Sequence, residues 1–288
     1  MVGIPYFYRR FGYVYAAPLA GWVTMADDLS SNAPTGTPAT SRATVRRAVH
    51  GDARSIREVI RLDQAPCDVA MTPSEACLGW MIERSGTEAW VAELDGRIVA
   101  FGRTLPAEEG AAVGDLFAGA ADDAWTLAQA VRRPGLRVQV RPSTSTGREL
   151  RTLVGQPADA ELDWLYVRIP DLVALLEHLR PELQRRLEQA ELAVVPDRLL
   201  ISSYRSHVVA SIENGRLGPF RRGGPLQAPL SEGGAGIPPD VWAALLFGPH
   251  GAVGLEQRHP DVLLGEIRDV MGALFPPMRS DVVTFYMT

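Results

Sequence analysis

Asp95-Gly96 separates two runs rich in strand-forming residues, Ala89 to Leu94 and Arg97 to Gly102. A two-residue hairpin loop demands positive φ at its centre, which Asp tolerates and Gly adopts freely, so the runs should pair antiparallel. That hairpin places a sheet in the middle of the chain. Upstream, Thr44 to Val49 reads as a strand, and Gly51-Asp52 precedes Ile56, Val59, Ile60 and Leu62, spaced as one helical face. Downstream come a strand at 111–117, a helix at 122–131, a strand at 136–140, a helix at 147–153 and a strand at 162–169. The order β-α-β-β-β-α-β-α-β reads as strands with flanking helices, an α+β arrangement.

Either side of this block the pattern changes. Residues 26–42 are dominated by Ser, Thr, Asn, Asp, Ala and Pro and read as an exposed linker. After Pro170, Leu172, Val173, Leu175, Leu176, Leu179, Leu183 and Leu187 mark an amphipathic helix that Pro181 should kink or divide. Strands are expected at 199–204 and 207–213, with Asn214-Gly215 turning into a third at 217–220. A Gly/Pro-rich loop at 221–238 then leads to helices within 239–247 and 262–274.

Composition removes several function classes. With 288 residues, 46% of them hydrophobic and 22% charged, the chain can build two ordinary cores. All 29 basic residues are Arg, so no mechanism using a Lys Schiff base is available. A net charge of -5, with no basic stripe interleaved with aromatics, argues against nucleic-acid binding. Cys67 and Cys77 form neither a metal cluster nor a disulfide framework, consistent with a reducing cytoplasm. Arg9-Arg10 followed by apolar residues 11–20 could mimic a secretory signal, but Tyr13, Tyr15 and Pro18 suit a strand better. No run approaches the ~20 apolar residues that span a bilayer.

Residues 3–13, from Gly3 through Tyr8 to Tyr13, resemble the turn and strand after the cofactor site of GCN5-related N-acetyltransferases (GNAT), specifically the multi-domain enhanced-intracellular-survival (Eis-like) type. Val45 to Asp52 resembles the opening of a GNAT domain. Trp164 to Leu172, Trp242 to Gly248 and Ala273 to Pro277, in that order, resemble the sterol-carrier-protein-2-like (SCP2-like) domain that closes Eis-like enzymes. The resemblance implies a closing segment of a missing first GNAT domain at 1–25, the linker at 26–42, a degenerate GNAT-like domain at 43–169 and an SCP2-like domain at 170–288. It also implies acetyl transfer from acetyl-CoA to an amine of aminoglycoside or protein and peptide type, and a homo-oligomer. Tyr8 matches the family's general acid, which protonates the departing thiolate; the terminal carboxylate, here on Thr288, would serve as the base. The simpler readings are a packing aromatic and an ordinary exposed terminus.

The family's acetyl-CoA site needs an Arg/Gln-x-x-Gly-x-Gly/Ala loop whose N–H groups cradle pyrophosphate. At the corresponding place stand residues 118–125, Ala-Gly-Ala-Ala-Asp-Asp-Ala-Trp. No such loop is present, and Asp122 and Asp123 would repel phosphate while stabilising the helix start by about 0.3–1 kcal/mol each. This chain is therefore expected to be inactive alone. Arg141 to Arg148 offers a second candidate, either an anion nest or a Ser/Thr-capped helix start. His50, His178, His207, His250 and His259 show no ligand spacing, and Ser202, Ser203 and Ser206 lack a nucleophile elbow. Two other functions fit the sequence: a non-catalytic oligomerisation or binding module, and a lipid carrier with Leu172, Leu175, Leu176 and Leu179 lining a tunnel rather than packing a core.

Overall fold

The computed structural model describes residues 7–19, 21–24, 42–107, 110–131, 137–153 and 164–282; most of the linker lies outside them. A 3-10 turn, Tyr8–Phe11, leads into β1 (Val14–Pro18) and β2 (Gly21–Thr24). Next come β3 (Thr44–Arg47), α1 (Ala53–Asp63), β4 (Val69–Ala70), α2 (Glu75–Glu83), β5 (Glu88–Leu94) and β6 (Arg97–Ala107). They are followed by β7 (Gly110–Ala118), α3 (Ala121–Ala130), β8 (Arg137–Val140) and α4 (Ser145–Leu153). The remainder comprises β9 (Trp164–Val167), α5 (Leu172–Gln189), β10 (Arg198–Ser202), β11 (His207–Glu213), β12 (Arg216–Leu217) and β13 (Arg221–Gly223). The last elements are β14 (Ala235–Gly236), α6 (Trp242–Phe247), α7 (Gly251–Glu256), α8 (Arg268–Leu274) and β15 (Ser280–Asp281).

These elements form two compact units. The first holds residues 1–17 and 164–278, the second residues 18–163 and 279–288. This division differs from expected boundaries after residues 25, 42 and 169, and strand pairing is the reason. β1 pairs with β9, whereas β2 pairs antiparallel with β8 from Gly21–Val140 to Thr24–Arg137. A strand buries its backbone polar groups only where a partner strand satisfies them, so adjacent segments of the N-terminus are committed to different units.

The second unit is built on a six-stranded sheet in the order β2-β8-β7-β6-β5-β3. Its central hairpin turns at Asp95 and Gly96 with φ of 49° and 74°, as the sequence requires. Side chains alternate across the sheet. Val91, Phe101 and Phe117 face a core with Ile56 and Ile60 of α1 and Leu78 and Met81 of α2. Their neighbours Ala92, Ala100, Leu116 and Ala118 face the other way, against Trp125 and Leu127 of α3. The sheet is mixed because β7 and β8 run parallel, but their ladder covers only Ala112–Arg137 and Val113–Val138.

In the first unit β11 is the organising strand. It pairs with β10 along its length, with β12 near its end and with β13 near its start. The third strand expected at 217–220 is thus replaced by two short ones, because Gly218-Pro219 interrupts the ladder and Pro has no N–H to donate. Asp171 caps α5 by accepting from Ala174 N at 3.1 Å. Of the two expected outcomes at Pro181, division does not occur: α5 is one helix of 18 residues with the proline inside it. Leu176 on one side of the proline and Leu183 and Leu187 on the other are buried in one core with Ile201, Val208 and Leu245, so both halves pack against the same core. Among the described residues no helix is long and apolar enough to cross a membrane.

Added Cβ atoms at Gly96 and Gly119 would both meet open space, but only Gly96 has positive φ. Gly96→Ala should therefore cost about 1–2 kcal/mol, and Gly119→Ala should stay within about 0.5 kcal/mol of the parent. Denaturant melts of the two variants check this; equal effects would remove backbone strain as the cause.

Candidate functional site

Tyr8 opens the 3-10 turn that Gly12 ends in the left-handed conformation, φ 79°. Its ring contacts those of Phe7, Tyr13 and Tyr166 at centroid separations of 5.3, 6.1 and 5.8 Å, and Tyr15 stacks on Tyr166 at 4.2 Å. The aromatic run thus packs as a cluster in the first unit. Thr288 lies outside the described residues, so Tyr8 is the one proposed catalytic residue with a described environment.

Beside this cluster the first unit carries a groove with two lobes. The larger, about 630 Å³, is lined by Arg9, Tyr15, Trp164, Asp240, His250 and Arg258 among others. The smaller, about 230 Å³, includes Ser203, Arg205, Ser206, His207 and Trp242. Gly12, Val14 and Pro239 line both. Trp242 Nε1 donates to Ser203 Oγ at 2.7 Å, and His207 Nδ1 donates to Gly224 O at 2.9 Å, since a carbonyl can only accept. Burial, reinforced by Arg258 and His259, holds the His250 imidazole below its ordinary pKa.

In the second unit the turn between β7 and α3 is two residues long, and its polar groups are used internally. Gly119 N donates to Val99 O at 3.1 Å, and Ala118 O accepts from Thr146 Oγ1 at 2.9 Å. Asp122 and Asp123 occupy the first turn of α3. The residues there are not those of a Gly-rich pyrophosphate cradle.

The second anion candidate, Arg141 to Arg148, is likewise filled by the protein itself. The amide of Thr146 donates to Asp63 Oδ1 at 2.9 Å and that of Gly147 to Thr144 Oγ at 3.1 Å. Gly147 has no room for a side chain, since a Cβ would lie 1.8 Å from Arg141 O. Arg141 is 4% exposed, pairs with Asp281 at 2.5 Å and stacks over Phe117 at 4.7 Å. The other Asp281 oxygen accepts from Gln64 Nε2 at 2.5 Å. The helix-start reading of this segment therefore holds, with Asp63 as the acceptor at its N-terminus.

Sequence reasoning missed this network of Asp63, Gln64, Arg141 and Asp281. Its members come from α1, the turn after it, the end of β8 and β15, and no local spacing signals their meeting. Burial pushes the Asp63 carboxyl up to about 6, against the opposing pull of Thr146 and Arg141. Cys67 lies nearby, donates to Ser143 O at 3.4 Å, and is pushed up to about 12 by burial and the neighbouring carboxylates, which makes it an unreactive thiol.

His50 pairs with Glu83 at 2.9 Å, and among the described residues no cluster of His, Cys, Asp and Glu could hold a metal. Leu176 is buried in the first unit's core, and Leu172, Leu175 and Leu179 pack against the same core.

No family model matches the sequence, and no curated protein does. Solved structures do match. A GCN5-related N-acetyltransferase from Kribbella flavida superposes with a TM-score of 0.62 at 18% identity, covering 96% of this chain and 68% of that one. The fold is that of a GCN5-related N-acetyltransferase. A second such protein, from Anabaena variabilis, gives 0.58 at 13% identity over 95% of this chain and 68% of its own. A conserved protein of unknown function from Enterococcus faecalis gives 0.62 at 13% identity over 98% and 71%.

Two consequences of the buried network are measurable. Burial raises the folded-state pKa of Asp63 above that of a free carboxyl, to about 6, so its contribution to stability is fully present below about 4 and is lost as pH rises through about 6. The loss is on the order of 3 kcal/mol. Asp63→Asn should therefore raise the melting midpoint at pH 7.5 more than at pH 5; a pH-independent difference would contradict this. Arg141→Met leaves Asp281 buried without its cation and should cost about 3–5 kcal/mol, read by denaturant unfolding.

Proposed function

We propose that this chain is part of an acetyl-CoA-dependent N-acetyltransferase of the Eis-like type, and that it does not transfer acetyl groups alone. The observation that carries this reading is the GNAT fold, matched over nearly the whole chain by structures of which it covers about two thirds. The Tyr8 segment agrees with it. In that reading Tyr8 supplies the phenolic proton for the departing thiolate, and the terminal carboxylate of Thr288 accepts the proton of the incoming amine. An amine on an aminoglycoside, a protein or a peptide is the acceptor class. The first unit takes the place of the SCP2-like domain, and the protein works as a homo-oligomer in the cytoplasm.

Acyl-CoA supplies the activated acetyl group, and the chain's part would be to hold its pyrophosphate and protonate its thiolate. The second unit does not favour the first task, because Gly119 N is bonded to Val99 and Asp122 and Asp123 stand at the helix start. The phosphate loop must come from polypeptide outside these residues. Incubating the purified chain with radiolabelled acetyl-CoA and a panel of amines should give no transfer above the protein-free blank. Transfer by the isolated chain would refute the inactivity, and an adjoining upstream frame with no Arg/Gln-x-x-Gly-x-Gly loop after a strand would count against the Eis-like reading.

A further inference from the structure

The groove of the first unit has a chemistry that the transferase reading does not use. Its lining carries four arginines, Arg9 and Arg258 in the larger lobe and Arg205 and Arg222 in the smaller, against one carboxylate, Asp240. Arg222 is paired with Asp171 at 3.6 Å. Arg258 is not: its Nη1 donates to Gly254 O at 3.1 Å, and it has no carboxylate partner among the described residues. A guanidinium that spends one N–H on a backbone carbonyl keeps several donors for an oxyanion.

The same lobe offers apolar surface. Tyr15 and Trp164 remain 37% and 36% exposed, well above the buried aromatics of the cores, and Leu255 and Val241 form part of the lining. Arg9 lies over the Tyr15 ring at 5.8 Å, so cation and ring occupy one wall. Gly12 lines both lobes and has open space where a side chain would stand.

We propose that this groove binds an anionic small molecule with a flat apolar body: a carboxylate, sulfonate or phosphate group held by Arg258 and Arg9, and a ring system lying against Tyr15 and Trp164. Ring burial supplies the non-directional part of the affinity and the guanidinium fork selects the charge. A polycationic amine is repelled by the same lining. The site stands independently of acetyl transfer, since it uses neither Tyr8 nor a thioester.

Fluorescence titration of the full chain with anilinonaphthalenesulfonate tests this, with neutral anilinonaphthalene as the comparator. One saturable site is expected, with the sulfonate binding at least about tenfold more tightly than the neutral compound. Arg258→Glu and Arg9→Glu should each weaken the sulfonate by about tenfold or more. Arg97→Glu, on the exposed hairpin of the other unit, should leave it unchanged. Ala244→Trp should block the site by filling the larger lobe. Thermal melts confirm that each variant is folded, and the two charge reversals decide the matter if Ala244→Trp does not fold. Unchanged sulfonate affinity in folded Arg258→Glu and Arg9→Glu, or equal binding of the neutral compound, would overturn the proposal.

Discussion

A guanidinium cannot shed its charge inside a protein, so burying Arg141 dictates what surrounds it. Asp281 supplies the counter-charge, Gln64 occupies the second oxygen of that carboxylate, and the Phe117 ring lies under the cation. Such a pair adds little net stability over apolar packing, but each partner makes the other obligatory. This explains why residues 279–282 belong with the second unit while residues 164–278 belong with the first. β15 pairs with β4 at Ser280–Val69 and Asp281–Ala70, and Arg279 N donates to Asp68 at 2.8 Å, so the returning strand is held by ladder and charge together.

The same network occupies the start of α4. Helix starts attract anions through their free N–H groups, and here the protein supplies its own partners. Asp63 occupies the start of α4, two aspartates stand in the first turn of α3, and the turn before α3 is bonded to the sheet at Val99. Thr146 Oγ1 also donates to Ala118 O at the end of β7.

Much of the fold was legible because it rests on local rules. Asp95-Gly96 fixed the hairpin, and the face of Ile56, Val59 and Ile60 gave α1. That residues 118–125 carry no Gly-x-Gly run was visible in the residues themselves. What failed was decided by distant contacts. Pro181 breaks an isolated helix but not one with Leu176, Leu183 and Leu187 in the same core, and β1 and β2 are told apart only by their partners, β9 and β8. The pairing of Arg141 with Asp281, 140 residues away, leaves no trace in either neighbourhood. The groove is equally non-local, since Arg9 and Arg258 share a wall only after folding.

The central claim is that the start of α4 and the turn before α3 are bonded within the protein itself. Amide hydrogen exchange at Gly119, Thr146 and Gly147, resolved by nuclear magnetic resonance with and without acetyl-CoA, tests it most directly. The account predicts slow exchange at all three amides in the free protein and no further protection on adding acetyl-CoA. Fast exchange in the free protein that becomes slow with acetyl-CoA would show a working phosphate cradle and contradict it.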